Sequence, residues 1–292
     1  MIKYIHCLGT SFTAGGGHEF GSLRTSRNNK SSYINQLTQH YSTKYPNEEL
    51  TRFNCSWPGQ LQKLLGKDIK VNNLAESGYG NDRLCRLTWE IISEGDFNPK
   101  EHLFLFEFAG LGRTELWSNS LNDYIITNYN IDSDDKTFKY SGSANNYFYD
   151  DEEKINTLDS LSDNLIEPFY KEFLAVKSEM NKLEMEAQFF ISHLKQNNIN
   201  FMCTQEPFYG TSIKIEKEKH LFEFKPKDYH ETHNFISFFV SNSLSITNET
   251  DGDCNDSHMG MRGAKMVSKI IYNKLVKLKY TPSYMLINKE LI

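Results

Sequence analysis

A chain of 292 residues with 38% hydrophobic and 13% aromatic side chains is long enough to bury a substantial core and too apolar to stay disordered. Its net charge of −6 argues against a nucleic-acid partner, because phosphate binding calls for a basic surface. No basic amphipathic stretch favours a membrane surface, and no apolar run approaches the roughly 20 residues that span a bilayer. The five cysteines (7, 55, 85, 203 and 254) are odd in number, scattered and free of CxxC pairs, so reduced, mostly buried thiols are expected rather than disulfides or a zinc site. The chain begins almost at once with an apolar run and shows no signal peptide, from which a cytoplasmic location is expected.

Four short apolar runs, Ile2–Leu8, Ile69–Leu74, His102–Phe108 and Ile199–Cys203, read as buried strands. Helical patterns lie between them: Ser32–Tyr45, Gln60–Leu65, Arg83–Ile92 and a long stretch from Phe169 to Asn197. A last helix is predicted from about Met261 to Leu278, with Ala264, Val267, Ile270, Ile271 and Leu275 at helical spacing. Strands alternating with helices predict a mainly parallel sheet covered on both faces, a three-layer α/β/α fold. One domain, 1–292, accounts for the whole alternation. Three polar or mixed segments interrupt it, at about 16–31, 118–151 and 206–253, the second with a hairpin expected around Lys139–Ala144. They leave the sheet at or after the strand ends where chemistry is expected, and read as insertions that wall a substrate cleft; decoration or oligomer contacts are the alternative.

The chemistry is concentrated at the two ends of the chain. Ser11 lies in Gly9-Thr10-Ser11-Phe12-Thr13-Ala14-Gly15, directly after the first strand, where an open α/β sheet presents its reactive groups. A serine hydroxyl needs a base to take its proton and donors to hold the oxyanion that follows. His258, in Asp256-Ser257-His258-Met259-Gly260 ahead of the final helix, is the candidate base. Asp256 is the first candidate to orient its imidazole and Asp253 the reserve. Asp228, His230 and His233 lack a fourth ligand and read as solvated side chains, so no metal and no other cofactor is expected.

These blocks, in this order, resemble those of the SGNH hydrolases, the GDSL esterase/lipase superfamily. Gly9-Thr10-Ser11 resembles the first block, with Thr10 where Asp is usual. Ser56-Trp57-Pro58 and Val71-Asn72-Asn73-Leu74-Ala75-Glu76-Ser77-Gly78 resemble the segment leading into the second block, whose glycine supplies an oxyanion-hole N–H, here Gly78. Asp256-Ser257-His258 resembles the fifth block, with an Asp-to-His spacing of two rather than the commoner three. The third block departs from the pattern: Gly110-Leu111-Gly112-Arg113 puts Gly112 where an oxyanion-binding Asn is usual. Arg113, Asn81 or backbone N–H groups are the candidate replacements, and an ion pair with Glu107 or Glu115 is the competing role for Arg113.

The resemblance implies a flavodoxin-like SGNH domain and a serine esterase using Ser11, His258 and Asp256, with the N–H groups of Ser11 and Gly78 in the oxyanion hole. The implied substrates are small acyl esters, and the polar, aromatic insertions tilt the expectation towards O-acetylated carbohydrate. An O-acyltransferase and a non-catalytic binding or structural protein on the same fold are the alternatives. Neither the acyl group nor the oligomeric state is legible in the sequence.

Overall fold

A computed structural model of the chain describes residues 1–16, 31–109, 113–131, 138–143, 152–169, 176–204, 217–220, 222, 238–239 and 242–281. The first half runs β1 (Tyr4–Leu8), α1 (Ser11–Ala14), α2 (Ser31–Lys44), α3 (Arg52–Cys55), α4 (Trp57–Leu65), β2 (Lys70–Asn73), α5 (Asn81–Ile92) and β3 (His102–Phe106). There follow β4 (Arg113–Ser118), β5 (Asp123–Ile131), β6 (Phe138–Ser143) and α6 (Glu152–Leu161), which passes into a π-helical turn, Ser162–Ile166. The remaining elements are α7 (Val176–Gln196), β7 (Asn200–Cys203), α8 (Lys217–His220), α9 (Ile246–Glu249) and α10 (Met261–Lys277).

The architecture is mixed α/β. Four strands pair in parallel in the order β2-β1-β3-β7. Their side chains alternate between faces, and both faces are apolar, as parallel strands covered on both sides require. Ile5, Leu103, Leu105 and Met202 enter one core with Leu61 of α4 and Val267 and Ile271 of α10. Leu8, Phe104, Phe106 and Phe201 enter a second core with Leu84 of α5 and Leu194 of α7. Helices therefore pack on both faces, an arrangement compatible with three layers, α/β/α. The sheet order reverses at β1, which pairs with β2 on one side and β3 on the other. The crevice outside the carboxyl ends of β1 and β3 is where such sheets carry their ligands.

Local chemistry explains where the elements start. Helix α4 begins at Trp57 rather than Gln60 because Ser56 caps it, its Oγ accepting from Gly59 N at 3.3 Å, with Pro58 in the first turn. Strands β4, β5 and β6 form a separate antiparallel sheet that starts at Arg113, ahead of the expected insertion boundary at 118. Within it Lys139–Ser143 is strand rather than hairpin. Ser141-Gly142-Ser143 reads as a turn in sequence, but Gly142 pairs with Asn128 beside an irregularity at Asn128/Tyr129, and a glycine inside a strand commonly marks such a bulge. Ala144, nearly all of 16–31 and most of 205–241 lie outside the described residues, including Asp228, His230 and His233. Among the described residues no helix is long and apolar enough to cross a membrane.

His6 of β1 is buried against His102, Nε2 to Nδ1 at 3.0 Å, and stacks on Phe104. Burial first, then the neighbouring His102 and Lys70, pushes its pKa down to about 4 from 6.5. The folded state thus holds the neutral ring while the unfolded chain protonates more readily. Stability rises with pH across that window and is lost as pH falls through it, by on the order of 3 kcal/mol. Wild-type unfolding free energy is expected to fall between pH 7 and pH 5 more steeply than that of His6→Gln, measured by urea denaturation. Parallel pH curves for the two proteins would remove His6 as the cause.

Candidate active site

Ser11 is the first residue of α1, a single helical turn that follows β1 at once. What holds this turn is Glu107, just beyond the end of β3 and almost fully buried. Its Oε1 accepts from Thr10 Oγ1 at 2.5 Å; its Oε2 accepts from Thr13 N at 3.0 Å, Thr13 Oγ1 at 2.5 Å and Thr10 N at 3.3 Å. Trp57 Nε1 donates to Thr13 Oγ1 at 3.2 Å, and Asn73 Nδ2 donates to Thr13 O at 3.1 Å. The ends of β2 and β3 and the start of α4 therefore all grip one turn. Gly9 is dictated by the same contact: a Cβ there would stand 2.6 Å from Glu107 Cβ. Glu107 uses the N–H groups of Thr10 and Thr13. Those of Ser11 and Phe12, at the start of the helix, have no acceptor among the described residues.

His258 sits at the opposite end of the chain, in the loop before α10. Asp256 Oδ1 accepts the His258 backbone N–H at 2.8 Å and lies 2.7 Å from Nδ1 of the imidazole. Asp253 is exposed, and its backbone N–H bonds to Thr250 O. The loop is braced by the segment before it: Thr247 Oγ1 donates to Asp256 O at 2.7 Å, and Ile246 N donates to His258 O at 2.8 Å. A second buried carboxylate, Glu249 of α9, accepts the N–H of Arg262 at 2.5 Å and of Gly263 at 3.4 Å, satisfying the start of α10. Tyr41 Oη donates to the same carboxylate at 3.1 Å. Burial pushes the Glu249 pKa up, and the Arg262 N–H and the Tyr41 hydroxyl pull it back. The last part of the expected insertion, 242–253, thus serves as the bracket of the His258 loop.

Gly16 locates the two side chains relative to each other. A Cβ on Gly16 would lie 2.9 Å from Ser11 Cβ and 3.0 Å from His258 Nε2, so the Ser11 and His258 side chains border the same small space. No hydrogen bond joins them directly among the described residues. Phe12 flanks the imidazole, with ring centroids 5.3 Å apart.

The oxyanion candidates divide. Gly78 lies in a turn with φ +85°, in a loop whose Glu76 N donates to Gly9 O at 3.3 Å, so this loop runs alongside the Ser11 turn. The Asn81 amide is engaged in both directions with Ala109: Nδ2 donates to its carbonyl at 3.1 Å, and Oδ1 accepts its N–H at 2.8 Å. Asn81 therefore fastens the start of α5 to the end of β3. Arg113, first in β4, is half-buried. Burial pulls its pKa down and Glu107 pushes it back up, so the guanidinium stands within electrostatic reach of the carboxylate that holds Ser11. Glu115 is instead taken by Arg86, at 3.1 Å from Nη2 and 3.2 Å from Nε. Gly110, Leu111 and Gly112 lie outside the described residues. Among the described residues no group of three or more His, Cys, Asp or Glu side chains could hold a metal ion.

Sequence reasoning passed over Glu107 except as a partner for Arg113, and passed over Glu249 entirely. The available signal was an acid directly after an apolar strand, Phe104-Leu105-Phe106-Glu107, where a charge is costly unless bonded. No model of a known protein family and no curated protein matches this chain.

Because Glu107 is the acceptor for four buried donors, Glu107→Ala is expected to lower the unfolding free energy by about 3 kcal/mol or more. Glu107→Gln keeps the shape and one acceptor and is expected to cost about 1 kcal/mol. Equal stability of Glu107→Ala and wild type in urea denaturation would show that the turn does not depend on the carboxylate.

Proposed function

We propose that the protein is a serine esterase of the SGNH type, acting on small acyl esters. The observation that carries this reading is the convergence of Ser11 and the Asp256-oriented His258 on the space beside Gly16. The strand order β2-β1-β3-β7, all parallel, supports a flavodoxin-like sheet, whose order is 2-1-3-4-5. Ser11 then lies where such sheets bind ligands.

In the proposed mechanism Asp256 holds the imidazole with its Nδ1 proton directed at the carboxylate, leaving Nε2 as base. Nε2 takes the Ser11 proton while Oγ attacks the ester carbonyl. The tetrahedral oxyanion is met by the N–H groups of Ser11 and Gly78, with the Arg113 guanidinium as the charged third donor. His258 returns the proton to the leaving alcohol, and water resolves the acyl-enzyme by the reverse sequence. A second alcohol in place of water makes the same site an O-acyltransferase.

The deciding experiment is labelling by a fluorophosphonate, read by mass spectrometry. Modification at Ser11, abolished in Ser11→Ala, is expected together with hydrolysis of p-nitrophenyl acetate. A folded protein that neither labels nor hydrolyses is a binding protein on this fold. Gly16→Ala places a methyl group against both the Ser11 and the His258 side chains and is expected to lower turnover by about 10²-fold, with little change in the unfolding midpoint. Undiminished turnover in that variant would show that Ser11 and His258 do not act across this space. Arg113→Ala is expected to lower kcat by about 10²–10³-fold with a smaller change in KM, the pattern of a transition-state contact. An unchanged kcat would leave the oxyanion to backbone donors.

A further inference from the structure

Among the described residues two arginines at the rim of the Ser11 site share a single carboxylate within ion-pair range. Arg52 of α3 passes beside the Ser11 turn, its Cγ 3.5 Å from where a Cβ on Gly15 would stand. It crosses to the Gly78 loop, where Nη2 donates to Ser77 Oγ at 3.1 Å. Arg83, in the first turn of α5, packs on the same loop, its guanidinium carbon 3.9 Å from the centre of the Tyr79 ring. Both arginines share one carboxylate, Glu76, at 3.6 Å from Arg52 Nη1 and 3.7 Å from Arg83 Nη2. These separations exceed the 2.7–2.9 Å typical of a charge-assisted hydrogen bond. Glu76 is thus divided between two guanidinium groups and satisfies neither.

Among the described residues the other acids near this rim hydrogen-bond to other groups, although the charge of Glu115 also reaches Arg83. Glu107 is enclosed by Thr10 and Thr13, Asp256 is bonded to His258, Glu115 is gripped by Arg86, and Asp82 accepts from Glu115 N at 3.0 Å and from Thr114 Oγ1. Among the described residues Arg83 makes no hydrogen bond through its guanidinium and Arg52 makes only the one to Ser77, so terminal N–H donors of both forks are left for a ligand. The two arginine side chains are only 24% and 21% exposed, which leaves them reachable yet screened less than surface charges. Paired, part-desolvated guanidinium groups with spare donors match a planar carboxylate.

We propose that the ester substrate carries a carboxylate, which Arg52 and Arg83 bind at the rim while the acyl carbonyl faces Ser11. This rests on the esterase reading and narrows its substrate to carboxylate-bearing esters, a class that includes O-acetylated acidic sugars. Glu76 occupies the carboxylate position in the free protein, lying between the two guanidinium groups and screening their mutual repulsion.

The test pairs binding with labelling. Binding of 4-acetamidobenzoate, a non-hydrolysable carboxylate analogue, is compared with binding of neutral acetanilide by NMR titration. The carboxylate is expected to bind at least tenfold more tightly, with the advantage shrinking as salt is raised. Arg52→Ala and Arg83→Ala should each abolish the advantage. Glu76→Gln should increase it several-fold by releasing both guanidinium groups, whereas arginines that merely brace the loop would bind the anion no better without Glu76. No advantage in wild type, or one retained by both alanine variants, or a Glu76→Gln protein with weakened anion binding, overturns the proposal. Failure of Ser11 to label in a protein that shows the carboxylate advantage would instead discard the esterase reading and leave an anion-binding site.

Discussion

The buried carboxylate of Glu107 constrains the whole site. An ionised carboxyl group taken out of water is costly unless its lone pairs are filled. Here the filling groups are two hydroxyls and two backbone N–H groups, all from the turn that carries Ser11. Burial pushes the Glu107 pKa up, and the bonds from Thr10 and Thr13, with Arg113 beyond them, pull it down. The turn cannot open without exposing that carboxylate to an apolar core. Ser11 is therefore placed by an electrostatic debt rather than by the helical turn itself, which at four residues is too short to be stable alone.

The same device recurs at the other end of the chain. Glu249 is buried beneath the start of α10, and its Oε1 accepts from two N–H groups that a helix start otherwise leaves to water. A Cβ on Gly260 would collide with that carboxyl group, so the loop carrying His258 must pass over it as bare backbone. Each half of the proposed dyad is thus seated on its own buried acid. Two rigid seats, one after β1 and one before α10, allow residues far apart in sequence to share the space at Gly16 without a bond between them. Pre-organisation of this kind lets a site stay in register before any substrate arrives.

Much of this was legible from residue patterns. The four apolar runs are the four parallel strands to within two residues at either end. Strands β1, β3 and β7 announce themselves by near-continuous hydrophobicity, whereas edge strand β2 buries only Val71 and is marked by the flanking Ile69 and Leu74. Helix α10 ran true because its apolar residues keep strict helical spacing and glycine precedes it. The β4-β5-β6 sheet was only half visible: its strands mix Asn, Tyr, Thr and Ser, which carry little alternation, and Gly142 disguised a bulge as a turn. In the site, the positions of Ser11, Asp256 and His258 could be picked out because hydroxyl, acid and imidazole have few uses in glycine-rich loops. Glu107 and Glu249 could not be weighed the same way. Their partners are threonines, a tyrosine and backbone N–H groups scattered over the chain, and only folding brings those donors to the acid.

Glu107 also gives physical sense to Thr10, where the blocks this chain resembles usually carry aspartate, and to Arg113, the proposed stand-in for the asparagine whose place Gly112 takes. An aspartate at position 10 would set a second carboxylate against the buried Glu107, and two such groups in contact cannot both stay ionised. Threonine supplies a donor instead, so Thr10 and Glu107 are a single choice expressed at two positions. That choice leaves one buried negative charge near the base of the site, and Arg113 is the cation within its reach. A guanidinium tethered by a distant carboxylate, rather than clamped in a close ion pair, keeps donors to spare on its far side. In the proposed reaction the charge that develops on the substrate oxygen meets a cation whose own cost of burial is already part-compensated. Thr10 and Arg113 then answer to the same buried acid.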